Sequence, residues 1–86
     1  MKEMERTLKA LGNQRRLAIL SHLKKNKEVN VGDIASIIKL SFKSTSRHLA
    51  VLASANMLEK EQRSLEVFYR LASQQNQVAK YVISLL

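Results

Sequence analysis

Leu40-Ser-Phe-Lys-Ser-Thr-Ser-Arg-His-Leu-Ala-Val-Leu52 is the stretch that decides how this chain reads. At helical spacing Phe42, Thr45, Leu49 and Leu52 share one side, the pattern of a buried stripe. Lys43, Ser44, Arg47 and Ser54 share the other, with Ser46 and His48 at its edges. Short hydroxyls and basic side chains near a helix N-terminus suit a reader of the DNA major groove. Hydroxyls reach base edges or phosphates, Arg and Lys pair with guanine or phosphate, and the helix dipole favours phosphate at that end.

Around this helix the composition is that of one small basic domain. The 86 residues carry 15 Lys and Arg against 7 Asp and Glu, a net charge of +8. Such a chain favours polyanions, because neutralising phosphates releases their counterions. Charge alone suits DNA, RNA or an anionic membrane surface equally. With two Tyr, two Phe and no Trp, the core must be mainly aliphatic. There is no Cys, which excludes disulfides, Fe–S clusters and thiolate metal sites. The start, Met1 to Arg6, alternates charge and lacks the apolar core of a signal peptide, and no apolar run spans a membrane. The expectation is a cytoplasmic protein.

Periodicity supplies the remaining elements. Met4, Leu8 and Leu11 mark a first helix over 3–11, stopped by Gly12. Asn13 caps a second that runs to about Lys25 with Leu17, Ile19, Leu20 and Leu23 on its apolar face. Asn30, with Asp33 as a capping-box partner, opens a short third helix with Val31, Ile34, Ala35, Ile37 and Ile38 inward. Ser41 caps the fourth. Two short helices joined by Lys39 to Ser41 make a helix-turn-helix. After Asn56 the period drops to two. Val67, Tyr69 and Leu71 alternate with Phe68 and Arg70, and 58–62 is the partner strand. The connection 63–66 lacks the Gly of tight hairpins, so a longer, mobile loop is expected. Ser73 is expected to cap a last helix with the stripe Val78, Tyr81, Val82 and Leu85, widened by Ile83 and Leu86. The fold class is mainly α with a small β-hairpin, in the order α-α-α-α-β-β-α.

Three of these segments stand in a known order. Leu11-Gly-Asn-Gln-Arg-Arg-Leu-Ala-Ile-Leu20, the helix around Ser46-Arg-His-Leu49, and Val67-Phe-Tyr-Arg-Leu71 together resemble the ArsR/SmtB family of winged helix-turn-helix repressors. The resemblance runs from about Leu8 to Leu71. It implies a single winged helix-turn-helix domain over 1–86 and a homodimer joined by the first and last helices. Each fourth helix would lie in a major groove, with the hairpin as a wing. A twofold dimer implies a pseudo-palindromic operator with half-sites about one turn apart, ~34–36 Å.

The departures from the family bear on its signal. Many members carry Cys-x-Cys-Asp at the start of helix three, where it binds arsenic, cadmium or lead. Here Asn30 and Gly32 stand in place of the thiolates, and neither replaces sulfur toward a soft metal. Other members bind zinc through Asp and His on the last helix. This one offers Gln74, Gln75, Asn76, Gln77 and Lys80. No metal and no cofactor is expected, and the signal would be a small molecule, a protein partner or the protein's own concentration. Ala50 replaces a residue often basic in relatives, and Lys43 one often uncharged.

The expected DNA contacts are therefore Lys43, Ser44, Ser46, Arg47 and His48 on the recognition helix, with Lys60 and Arg63 on the wing. Glu59 and Glu61 flank Lys60 and weaken the field there. Arg15 and Arg16 face either phosphate or a carboxylate such as Glu3 or Glu5. The expected dimer contacts are Met4, Leu8, Leu11, Val78, Tyr81, Val82 and Leu85. No nucleophile–base pair, Gly-rich phosphate loop or catalytic carboxylate pair is present, which argues against an enzyme. The reading is a dimeric, sequence-specific regulator binding double-stranded DNA. The competing class is an interaction module or a non-specific nucleoid-type binder on the same scaffold.

Overall fold

A computed structural model describes residues 1–86. Five helices and three strands follow in order: α1 Lys2–Leu11, α2 Gln14–Lys25, β1 Val29–Asn30, α3 Val31–Ile38, α4 Phe42–Ser54, β2 Leu58–Arg63, β3 Glu66–Leu71 and α5 Gln77–Ser84. The helical caps follow the side chains available. Asn13, Asn30 and Ser41 accept hydrogen bonds from the amides of Arg16, Asp33 and Ser44, satisfying donors the first turn leaves open. Asp33 does not return a bond to the Asn30 backbone amide, and the Asn30 side chain donates through Nδ2 to Glu66 Oε1 at 3.2 Å. Lys39 ends α3 in the left-handed conformation, φ 58°, turning the chain into α4 within three residues.

The core gathers Ile19, Leu20 and Leu23 of α2, Ile34 and Ile38 of α3, and Leu49 and Leu52 of α4. Leu58 and Tyr69 close it from the sheet and Met57 from the bend before β2, while Ala10, Leu11, Ala79 and Ile83 close it from α1 and α5. All of these are nearly or fully enclosed. Thr45 shares this interior, so the inner stripe of α4 is fixed by burial on three successive turns.

Several expectations need correction. The sheet has three strands in the order β1-β3-β2, all antiparallel, with Val29 opposite Tyr69 and Asn30 opposite Phe68. Two residues are too few for a period to register in sequence. The wing is a tight hairpin, not a long loop. Arg63 pairs with Glu66 across a two-residue turn, and Ser64 adopts φ 57°, the conformation glycine would supply. Ser73 does not cap the last helix. Its amide and hydroxyl donate to Glu59 Oε2 at 3.1 and 3.3 Å, and Asn76 takes over the cap. Two apolar side chains leave the expected stripes: Phe42 is 62% exposed at the first position of α4, and Ile37 is also exposed.

Candidate nucleic-acid interface

The helix-turn-helix places one polar face of α4 in solvent. Lys43 and Arg47 are exposed one turn apart, with Ser44 between them and half-buried. Neither cation has an ion-pair partner within the chain. Ser44 and Ser46 spend no hydroxyl on the backbone, unlike Ser54, whose Oγ bonds the Val51 carbonyl at 2.9 Å. The cap at this terminus is Ser41, so the amide of Ser44 is already satisfied while its hydroxyl stays free. The N-terminus of α4 thus carries cations and free hydroxyls with no acidic residue in its own sequence. Such an end attracts phosphate by charge and by dipole.

His48 lies at the edge of this face, half-buried. Its Nδ1 stands 3.3 Å from Nη1 of Arg16. Burial, then the charges of Arg16 and Arg15, hold its pKa below the ordinary 6.5. Neither arginine meets Glu3 or Glu5. Arg16 donates to the carbonyls of Ala10 and Lys9 at 2.7 and 3.0 Å, closing the end of α1. Arg15 donates to the Ile38 carbonyl at 3.2 Å, at the end of α3. A legible signal existed: Gly12 and Asn13 put α2's first turn against the open carbonyls of α1, where arginine is a good donor.

The wing differs in charge from α4. Arg63 is 2.7 Å from Glu28 and 3.1 Å from Glu61, with its guanidinium 4.8 Å from the centre of the Phe68 ring. Arg70 reaches Glu28, Glu59 and Glu61 at 3.3 to 3.4 Å. The amide of Ser73 and the nearby Arg70 hold Glu59 below the usual carboxylate range, and Arg63 does the same for Glu61. Arg63, expected to face a backbone phosphate, is turned back into this carboxylate cluster. Lys60 is exposed and has no ion pair, so it is the free cation of the wing.

The expected dimer residues divide. Met4, Leu8, Tyr81 and Leu85 are 48 to 67% exposed. Val78 and Val82 are half-buried. Leu11, by contrast, is enclosed in the chain's own core at 6% exposure, because it shares the inner face of α1 with Thr7 and Ala10. Asn76 links the two helices directly: its Nδ2 donates to the buried Thr7 Oγ1 at 2.7 Å.

At neither place where other family members are described as holding a metal does this chain carry a fitting donor set. Asn30 is occupied as a cap and in its bond to Glu66, and Gly32 has no side chain. No three His, Cys, Asp or Glu residues come close enough to hold an ion.

With this geometry in view, residues 13–60 match the family of bacterial regulatory proteins designated arsR. The chain belongs to that family. It is 41% identical over 66 residues to the transcriptional activator HlyU of Vibrio cholerae, spanning 77% of this chain and 60% of that protein. It is 31% identical over 71 residues to the arsenical resistance operon repressor of Bacillus subtilis, spanning 83% of this chain and 68% of the repressor. The chain therefore covers about three fifths to two thirds of these relatives. The solved structure of reduced HlyU superposes with a TM-score of 0.83 at 36% identity, over 99% of this chain and 85% of that one. The homodimeric winged helix-turn-helix DNA-binding domain Mb0332 of Mycobacterium bovis superposes at 0.82 and 28% identity, over 98% and 74%. The architecture is a winged helix-turn-helix, and the relatives are transcriptional regulators rather than enzymes. No helix of this family member is long and apolar enough to cross a membrane.

Proposed function

We propose that this ArsR-family protein binds double-stranded DNA as a homodimer and represses transcription by occluding a pseudo-palindromic operator. The observation that carries the reading is the free polar face of α4. Lys43, Ser44, Ser46 and Arg47 have no side-chain partner in the protein, while the opposite stripe is locked into the core. Phosphate contacts from Lys43 set the register, and Arg47 with the two hydroxyls reads base edges. Lys60 is the wing's backbone contact. Dimerisation is supported by the apolar side chains that α1 and α5 leave exposed, Met4, Leu8, Tyr81 and Leu85, and by the homodimeric state of Mb0332. The two α4 helices then enter successive major grooves ~34–36 Å apart.

The repressor takes no metal as its signal, since Asn30 and Gly32 replace the thiolates and α5 lacks His and carboxylates. A small molecule, a protein partner or protein concentration sets its occupancy, and it acts in the cytoplasm. The test is selection of bound sequences from a randomised duplex pool at near-physiological salt, with and without added zinc. Enrichment of one inverted repeat under both conditions is expected. Recovery of unenriched DNA would replace specific repression with non-specific, nucleoid-type binding.

A further inference from the structure

The Arg16 guanidinium joins three helices, and the joint has a chemical consequence at the DNA face. Nε and Nη2 are committed to the carbonyls of Ala10 and Lys9, which aims Nη1 at Nδ1 of His48. A guanidinium has five donors, no acceptor, and keeps its charge at any working pH. Nδ1 must therefore accept, and it carries no proton. In a neutral imidazole the proton then sits on Nε2. The lowered pKa of His48 keeps the ring neutral at neutral pH. Nε2 makes no hydrogen bond within the protein and is not enclosed by it. It is an oriented, unspent donor, one helical turn from Ser44 and next to Arg47.

We propose that Arg16 is a positioning residue that locks His48 as a donor-only reader of guanine N7 in the major groove. The inference rests on the DNA-binding reading above. Guanine is the base that matches such a reader, because its groove edge presents two acceptors, N7 and O6, side by side. Adenine N7 accepts equally but its N6 donor opposes the donor of the neighbouring Arg47, thymine O4 is a lone acceptor beside a methyl group, and cytosine presents only a donor, so guanine alone offers acceptors to both side chains. Because Arg16 also closes α1, the reader's orientation is tied to the helix that carries Met4 and Leu8. The arginine would thus couple the end of a dimerisation helix to a base contact.

Two measurements test this. The first is the ring nitrogen NMR spectrum of His48 in the free protein at pH 7.5, in the wild type and in Arg16→Lys. The Nε2–H tautomer is expected in the wild type and a mixture in the variant, since lysine cannot hold both the carbonyls and the ring. A wild-type Nδ1–H ring, or an unchanged tautomer in Arg16→Lys, overturns the role of Arg16. The second is affinity for the selected operator with 7-deazaguanine placed at each guanine in turn. One position per half-site is expected to cost the wild type about tenfold, as one good base contact should, and to cost His48→Ala nothing. If no guanine behaves so, including the case where His48 donates to phosphate, the reader role fails. Failure to select any operator would instead sink the DNA-binding reading, and the tautomer of the free protein would still judge Arg16.

Discussion

Arg63 of β2 and Glu28 at the approach to β1 are held 2.7 Å apart, so the wing's arginine is tied to the body of the domain. With Glu61 at 3.1 Å its charge is balanced before any DNA arrives. Breaking that cluster to reach a phosphate would forfeit as much as it gained. Arg63→Ala is therefore expected to change operator affinity less than about threefold in a filter or fluorescence titration. Its cost in stability should also be small, because the pair is partly exposed and screened by solvent. Lys60→Ala, removing the unpaired cation, should weaken binding more than Arg63→Ala does. A larger loss for Arg63 would show that the wing opens on DNA.

On α4 the two free cations should separate by kind of contact. Lys43→Ala is expected to weaken all sequences alike and to lower the slope of log affinity against log salt by about 0.9 per protomer. Arg47→Ala should cost ~1–3 kcal/mol at the operator and relax preference at one position of each half-site. Uniform weakening by Arg47→Ala would reassign it to a phosphate.

Much of the two-faced character of α4 was legible in sequence, for a physical reason. Thr45, Leu49 and Leu52 are all 0% exposed, so the helical period of α4 reports a true buried stripe, and its polar face follows. The caps Asn13, Asn30 and Ser41 were equally legible, because a short oxygen-bearing side chain before an apolar period has few other uses. What sequence missed are relationships between distant segments. Phe42 sits at the helix's first position, where the stripe has already left the core. The start of β2 is tied to the connection between β3 and α5 by Glu59 accepting from Ser73, a contact between residues 14 apart with no local signature. The balance of Arg63 against Glu28 spans 35 residues and is invisible to any window of the sequence.

Asn76 bears on the proposed dimer surface by joining α1 to α5. It caps α5 through the amide of Ala79 at 2.9 Å and donates to Thr7, which is 1% exposed, on α1. Removing it strips a cap and leaves a buried hydroxyl without its donor. Asn76→Ala is expected to lower unfolding stability by ~1–3 kcal/mol in urea titration. Asn76→Asp, keeping the cap acceptor but not the donor, should recover the cap's share. Equal stability of all three proteins would mean the link contributes nothing.

The exposed apolar side chains of α1 and α5 give a test that does not touch α4. Leu8 is 53% and Leu85 67% exposed, so charge at either position should be tolerated by the isolated fold. Leu8→Glu with Leu85→Glu is expected to yield a folded monomer by sedimentation. Its operator affinity should fall by at least a hundredfold, since half-site binding loses the linked second contact. A monomeric wild type would remove the twofold operator from the reading.

The His48 environment predicts a pH dependence whose sign is fixed. Its folded pKa lies below the ordinary 6.5, so as pH falls the unfolded chain takes up the proton first. The stability this group contributes is fully present above about pH 6.5 and is lost as pH drops through the lower folded value. Protonation turns Nδ1 from acceptor to donor and sets a second positive charge against Arg16. Unfolding midpoints should therefore decline as pH falls below about 6.5 in the wild type and less in His48→Gln, whose side chain accepts a hydrogen bond but does not titrate. Glu59 and Glu61, also lowered, lose their contribution in a separate window below about pH 4.5, where both proteins should decline together. Discrimination between operator and random DNA should fall in the histidine window as well. Non-specific affinity should hold or rise there, because the added charge suits any phosphate while the N7 contact loses its fixed geometry. Parallel loss of both affinities would mean that protonation loosens the whole of α4 rather than one reader on it.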